Sequence, residues 1–166
     1  MNFSAFQTQI DDLKAHFPEE AFLQIVPEAV QPYVQVAPNA LLEIAAYLAQ
    51  SPTHYMDFLH LVSPIDNGPE AGTIDVFYHL SSLTSEKSLI LKVTIPRDIP
   101  DAQLPSLASI WRTADWHERE AFDMFGIQFT QHPDMRRILM PADWPGYPLR
   151  KDYQEPEFYH GIQVKY

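Results

Sequence analysis

Cysteine is absent from this sequence of 166 residues, glycine occurs only five times, and 11 basic side chains stand against 22 acidic ones. The missing cysteine excludes disulfides, zinc ribbons, thiolate-ligated iron–sulfur clusters and thiol nucleophiles. It leaves the redox compartment open, because a cysteine-free protein persists in either one. The few glycines form no G-x-G-x-x-G, no P-loop and no G-x-S-x-G, so neither a phosphate cradle nor a nucleophile elbow is expected. A net charge of −11 argues against general affinity for nucleic acid or anionic membrane surfaces. Long apolar runs are also missing. The most apolar helical stretch, Ala40 to Ala49, is interrupted by Glu43 and stops at Ser51-Pro52, short of the ~20 residues that span a bilayer. The N-terminus MNFSAFQTQIDD has neither a basic nor an apolar signal region, so a cytoplasmic location, soluble or peripheral, is expected.

What is present is a core. Hydrophobic residues make up 46% and aromatic residues 13%, too much for a disordered protein, and the length suits one domain with or without an extended arm. The charge is uneven. Residues 112–152 hold six basic and seven acidic side chains, whereas the remainder holds five basic and fifteen acidic. Trp111, Trp116 and Trp144 lie in or beside that near-neutral stretch, with Pro133, Pro141, Pro145 and Pro148. Balanced charge with tryptophan and arginine suits a buried, ion-paired interface.

Periodicity gives an element order. Ser4 with Gln7 reads as a capping box for a first helix, whose Phe6, Ile10, Leu13 and Phe17 share a face until Pro18. Ala21–Val26 and Tyr33–Val36 read as short strands between prolines. Asn39 is the expected N-cap of a helix from Ala40 to about Gln50, with Leu41, Ile44, Ala45 and Leu48 as its stripe. His54–Val62, Thr73–Leu83 and Ser88–Ile95 read as three strands of an antiparallel meander, the first two joined by the loop SPIDNGPEAG. A short helix is expected from Leu104 to Arg112. A second is expected from about Asp115 to Phe125, with Asp115 and Glu118 as capping box and Gly126 as its C′ residue. The prediction is an α+β domain over residues 1–126, with an N-terminal helix and a mostly antiparallel sheet carrying helices on one side. An irregular, extended C-terminal arm over residues 127–166 follows.

The helix around Asp115–Asp123 is the most charged segment. Arg119 and Asp123 are spaced to pair, and His117 with Glu120, or Glu120 with Asp123, share a face. Three carboxylates in six residues could serve acid–base chemistry, with His117 and His132 nearby. The stronger expectation is that they partner arginines, since no other motif supplies a substrate pocket. No H-E-x-x-H is present, so no metal site is expected.

The segment from Trp116 reads WHEREAFDMFGIQFTQHPDMRRILMPADWPGYPLRKDY. It resembles the signature of the C-type, thirty-kilodalton-class subunit of NADH:quinone oxidoreductase (respiratory complex I). The matching pieces are Glu118-Arg119-Glu120, Asp123 to Ile127, Phe129, His132-Pro133, Arg136 to Leu139, Asp143-Trp144, Gly146, and Pro148 to Tyr153. The resemblance implies a non-catalytic subunit of the peripheral arm, on the cytoplasmic side of a bacterial inner membrane or an equivalent energy-transducing membrane. It would touch the membrane only through the complex. It would hold no cofactor itself, while the complex passes electrons from NADH through FMN and Fe-S clusters to quinone, coupled to proton translocation. The implied partners are other peripheral-arm subunits, especially the D-type subunit and the cluster-bearing B-type subunit. The sequence looks like the form not fused to the D-type subunit. The implied subunit interface includes Glu118, Arg119, Glu120, Asp123, His132, Arg136, Arg137, Asp143, Trp144, Arg150, Lys151 and Asp152, with Trp144 as an aromatic anchor and Arg150 as a bidentate clamp. The homologous subunit of a membrane-bound hydrogenase or ferredoxin:quinone reductase is the alternative. A free-standing acid–base or metal enzyme is a more distant one.

Overall fold

A computed structural model describes residues 3–164, with side chains from Ala5 onward. The element order is α1 (Phe3–His16), a 3-10 turn (Glu19–Ala21), β1 (Phe22–Val26), β2 (Tyr33–Val36), α2 (Leu41–Gln50), β3 (Phe58–Asp66), β4 (Thr73–Ser82) and β5 (Lys87–Pro96). Then come β6 (Gln103–Pro105), α3 (Arg112–Phe125), β7 (Gln128–Thr130), β8 (Phe158–Tyr159) and β9 (Ile162–Gln163). The fold is α+β, as the periodicity predicts.

Five strands form one mixed sheet in the order β1-β2-β5-β4-β3. Every pairing in it is antiparallel except β2 with β5, where Tyr33, Val34 and Gln35 face Ile90, Leu91 and Lys92 in parallel. The alternation in β4 and β5 fixes which face is covered. Ile74, Val76, Tyr78 and Leu80 are buried together with Leu89, Leu91, Val93 and Ile95. The helices supply the other half of that core through Phe6, Ile10 and Leu13 of α1, Leu41, Ile44 and Leu48 of α2, and Ala114, Ala121, Met124 and Phe125 of α3. The opposite sheet face, with Tyr33, Phe77, His79 and Lys92, is only half covered.

The structure corrects several local expectations. Helix α2 starts at Leu41 without a side-chain cap, and Ala40 rather than Asn39 occupies the cap position. The α1 helix already includes Ser4, which therefore lies in its first turn, and the Ser4 side group is outside the described residues. The strand expected at His54–Val62 instead runs from Phe58 to Asp66. Residues 51–56 form a turn fixed by the Met56 N–H on the Leu48 carbonyl (2.8 Å) and by Trp111 Nε1 on the Met56 carbonyl (2.8 Å). Pro64 belongs to the expected loop, yet it stands inside β3 opposite Val76. An edge strand tolerates this, since proline lacks only the N–H that an outward-facing position does not need. No helix forms over 104–112. Gln103–Pro105 is a short strand that pairs in parallel with β7, and α3 begins at Arg112 without a side-chain cap. Asp115 therefore lies inside α3 and forms no capping box with Glu118. Gly126 ends α3 as expected, in the left-handed region at φ 76°, with its N–H on the Phe122 carbonyl.

Candidate functional site

The charged face of α3 is turned largely inward. Asp123 is fully buried. Its Oδ2 accepts the backbone N–H groups of Ile138, Leu139 and Met140 at 2.9, 2.6 and 2.9 Å, and its Oδ1 accepts Arg137 Nη1 at 3.0 Å. Burial pushes the Asp123 carboxyl up, but these donors outweigh it and hold it below the usual range. The expected Arg119–Asp123 pair does not form. Arg119 donates instead to the Arg136 carbonyl (3.3 Å), lies 3.8 Å from Asp134, and stacks over Trp116 at 5.0 Å.

Glu118 is also fully buried. Its carboxylate accepts Ser106 Oγ at 2.6 Å and the Leu107 N–H at 2.7 Å. Burial pushes its pKa up to about 7; the two donors oppose this and Asp115 adds to it. His132 has its ring buried beside Asp115 and Glu118, whereas Glu120 projects outward from α3. His117, Glu120 and His132 do not converge, and no group of three His, Asp or Glu among the described residues could hold a metal ion. Glu118 and Asp123 are occupied by donors of the same domain and arm, so the acidic cluster offers no joint acid–base centre.

The segment after Gly126 wraps back on the domain. Tyr147 lies between two guanidinium groups, Arg137 at 5.2 Å and Arg150 at 5.4 Å from its ring centroid. Arg137 also donates to the Gly146 carbonyl (2.9 Å), and Arg150 Nε donates to the Phe125 carbonyl (2.7 Å) at the C-terminus of α3, where a cation is favoured. Trp144 donates to the Tyr153 hydroxyl (2.8 Å) and packs on Tyr159, while Asp143 accepts Tyr159 (2.7 Å) and contacts His160 (2.8 Å). The Lys151 N–H donates to Asp66 Oδ2 at 2.8 Å, and Asp152 pairs with Arg97. Arg136 is 72% exposed, and its guanidinium pairs with Asp134.

Sequence reasoning missed Asp66, Arg97, Ser106 and Tyr147, on which much of this packing rests. Asp66 and Arg97 lie 31 residues apart, and no local pattern joins them. The available signal is that each is a charge at the end of an apolar strand. A pocket of about 560 Å³ on the open sheet face, lined by residues including Val30, His60, Leu61, His79 and Ile90, shares no residue with α3 or the arm. No helix among the described residues is long and apolar enough to cross a membrane.

The family model for the respiratory-chain NADH dehydrogenase 30 kDa subunit matches residues 34–159. The NADH-quinone oxidoreductase C-type subunit of Chloroherpeton thalassium is 48% identical over 129 residues, which is 77% of this chain and 52% of that protein. Its counterpart in Chlorobium phaeobacteroides is 42% identical, covering 75% of this chain and 74% of the relative. The fused C/D subunit of Proteus mirabilis is 38% identical over 87% of this chain, but only 25% of the fused protein is covered. The match thus spans about half the length of the Chloroherpeton protein and a quarter of the fused one. Among solved structures, a component of the archaeal membrane-bound sulfane sulfur reductase shares the fold with a TM-score of 0.73 at 22% identity, covering 89% of this chain and 85% of that one. The trypsin-resistant fragment of Nqo5 superposes at 0.62 with 23% identity, covering 78% of this chain and 98% of the fragment. The signature and these matches agree, and the protein belongs to the family of the 30 kDa subunit of respiratory-chain NADH dehydrogenase.

Proposed function

We propose that this protein is a non-catalytic structural subunit of the peripheral arm of proton-translocating NADH:quinone oxidoreductase. It docks on the D-type subunit and the cluster-bearing B-type subunit at the cytoplasmic side of the bacterial inner membrane. The electron path through FMN, Fe-S clusters and quinone belongs to those partners and the rest of the complex.

The observation that carries this reading is the use of the signature carboxylates as braces. Asp123 gathers three consecutive backbone N–H groups of the arm, and the arm is thereby preshaped before any partner arrives. Outside this brace, Arg136, Trp116 (62% exposed), Leu139 and Leu149 remain exposed, a mixture of arginine, aromatic and aliphatic side chains suited to a protein interface. The existence of fused C/D relatives supports the D-type subunit as a neighbour.

Arg136→Glu tests it. The guanidinium is exposed, so the isolated variant keeps its fold and loses only the surface pair with Asp134, ~1 kcal/mol or less. Incorporation into the complex fails, because a desolvated interfacial arginine is worth ~3–5 kcal/mol when lost one-sidedly. Mild-detergent extraction, native electrophoresis and identification of the co-migrating proteins provide the readout. Normal assembly of the variant would refute this interface. A co-migrating hydrogenase or ferredoxin-dependent module would replace the complex I assignment with its relative.

A further inference from the structure

Glu118 is buried, and no lysine or arginine among the described residues pairs with it. The turn after β6 supplies the Ser106 hydroxyl and the Leu107 N–H, and β4 supplies Tyr78. Helix α3 itself supplies Asp115 and, one residue on, Arg119, whose guanidinium is directed at Asp134 and the Arg136 carbonyl. The segment after β7 supplies His132, with Nε2 3.9 Å from Glu118 Oε2. The Asp134 N–H donates to Nδ1 at 3.0 Å, so the ring hydrogen sits on Nε2 and is given to the Asp115 carbonyl at 3.2 Å.

Two further buried polar atoms lie close by. The Tyr78 hydroxyl and Asp115 Oδ1 have no hydrogen-bond partner among the described residues, and burial together with the Glu118 charge pushes the Tyr78 pKa up. One proton on Glu118 Oε2 removes the excess negative charge without moving a heavy atom. The new O–H donates to Ser106 Oγ across the same 2.6 Å, and Ser106 turns its own hydrogen away while still accepting the Ala108 N–H. A path from solvent is also present. A pocket of about 400 Å³ lined by Ala108, Arg112, Asp115, Trp116 and Pro133 opens beside Asp115, whose carboxyl arm is 35% exposed. Asp115 Oδ1 is 3.4 Å from His132 Nε2, which faces Glu118.

We infer that Glu118 is a buried proton-binding site, exchanging with solvent on the Asp115 side, and that its occupancy sets how firmly the 106–108 turn is held on α3. The ionised carboxylate grips the Leu107 N–H through a charge-assisted bond, and the neutral acid grips it less. Burial places the exchange near pH 7.

Infrared spectroscopy of the whole protein across acidic to alkaline pH tests this. At about pH 6, where an ordinary glutamate has lost its proton, the wild type retains a protonated-carboxyl stretch, and Glu118→Gln lacks it. A wild type without that band, or a variant that keeps it, overturns the inference. Ser106→Ala removes one donor to the carboxylate and covers the case in which Glu118→Gln fails to fold. It shifts the midpoint upward, because the charge-assisted bond it removes from the carboxylate is stronger than the bond it removes from the neutral acid, and an unmoved midpoint overturns the assignment. Amide exchange at Leu107, corrected for its intrinsic pH dependence, is slower above the midpoint than below it; a flat profile overturns the coupling.

Discussion

Arg97 Nε donates to Asp66 Oδ1 at 2.8 Å while its Nη2 donates to Asp66 Oδ2 at 3.1 Å, a bidentate pair that joins the end of β3 to the residue after β5, with β4 between the two strands. Both side chains are almost completely buried. The pair holds more than the two strands together. The same guanidinium reaches Asp152, and Asp66 accepts the Lys151 and Gly68 N–H groups, so the sheet and the end of the signature arm meet at one buried ion pair.

Removing one partner leaves a desolvated charge behind. Asp66→Ala is therefore expected to cost ~3–5 kcal/mol in chemical denaturation. It also frees residues 147–153, so limited proteolysis of the variant cuts there first. An arm that stays protected would show that the Tyr147 and Asp123 contacts suffice alone.

The stability profile against pH has two opposed limbs. Burial pushes Asp66 up, but Arg97 and the Lys151 and Gly68 N–H groups win and bring it to about 2, below its ordinary 3.8. Its contribution is present above the ordinary value and is lost as pH falls from about 4 to about 2. Glu118 is raised from 4.5 to about 7, so the native state binds more protons than the unfolded state between those values. Its contribution is lost as pH rises through that window. The acid limb amounts to ~2 kcal/mol and the neutral limb to ~3 kcal/mol. Denaturation across pH should show the acid limb flattened in Asp66→Asn and the neutral limb flattened in Glu118→Gln.

Asp123→Ala orphans three backbone N–H groups at once and takes the carboxylate partner from Arg137, which keeps the Gly146 carbonyl. A loss of ~3–5 kcal/mol is expected, concentrated on the arm. Hydrogen exchange at residues 138–140 should approach that of an open loop while β4 and β5 stay protected.

Gly126→Ala meets two obstacles. Its φ of 76° costs any residue with a Cβ ~1–2 kcal/mol, and a Cβ there would come within 2.6 Å of the Tyr147 ring. Gly72→Ala shares the positive φ but has nothing within 4 Å, so it isolates the backbone cost. Gly126→Ala should therefore lower stability more than Gly72→Ala. The excess should shrink in a Tyr147→Ala background, measured by a double-mutant cycle.

The sequence by itself determined the elements whose pattern is local. The alternation Ile74, Val76, Tyr78, Leu80 placed β4, the spacing Leu41, Ile44, Leu48 placed α2, and Gly126 marked the end of α3, because side-chain period and backbone permissiveness are properties of neighbouring residues. The run of signature residues from Trp116 to Tyr153 likewise pointed to the family. Tertiary structure decided the rest. Pro64 belongs to β3 only because that strand lies at the sheet edge. Gln103–Pro105 is extended because β7 offers it a partner. Asp123 meets Arg137 rather than Arg119 because the arm folds back over α3. Which carboxylate ends charged, like Asp123 and Asp66, and which ends poised to hold a proton, like Glu118, depends mostly on donors brought from 11 to 85 residues away. Burial makes those distant partners decisive, since a carboxylate removed from water takes its charge state from the donors around it.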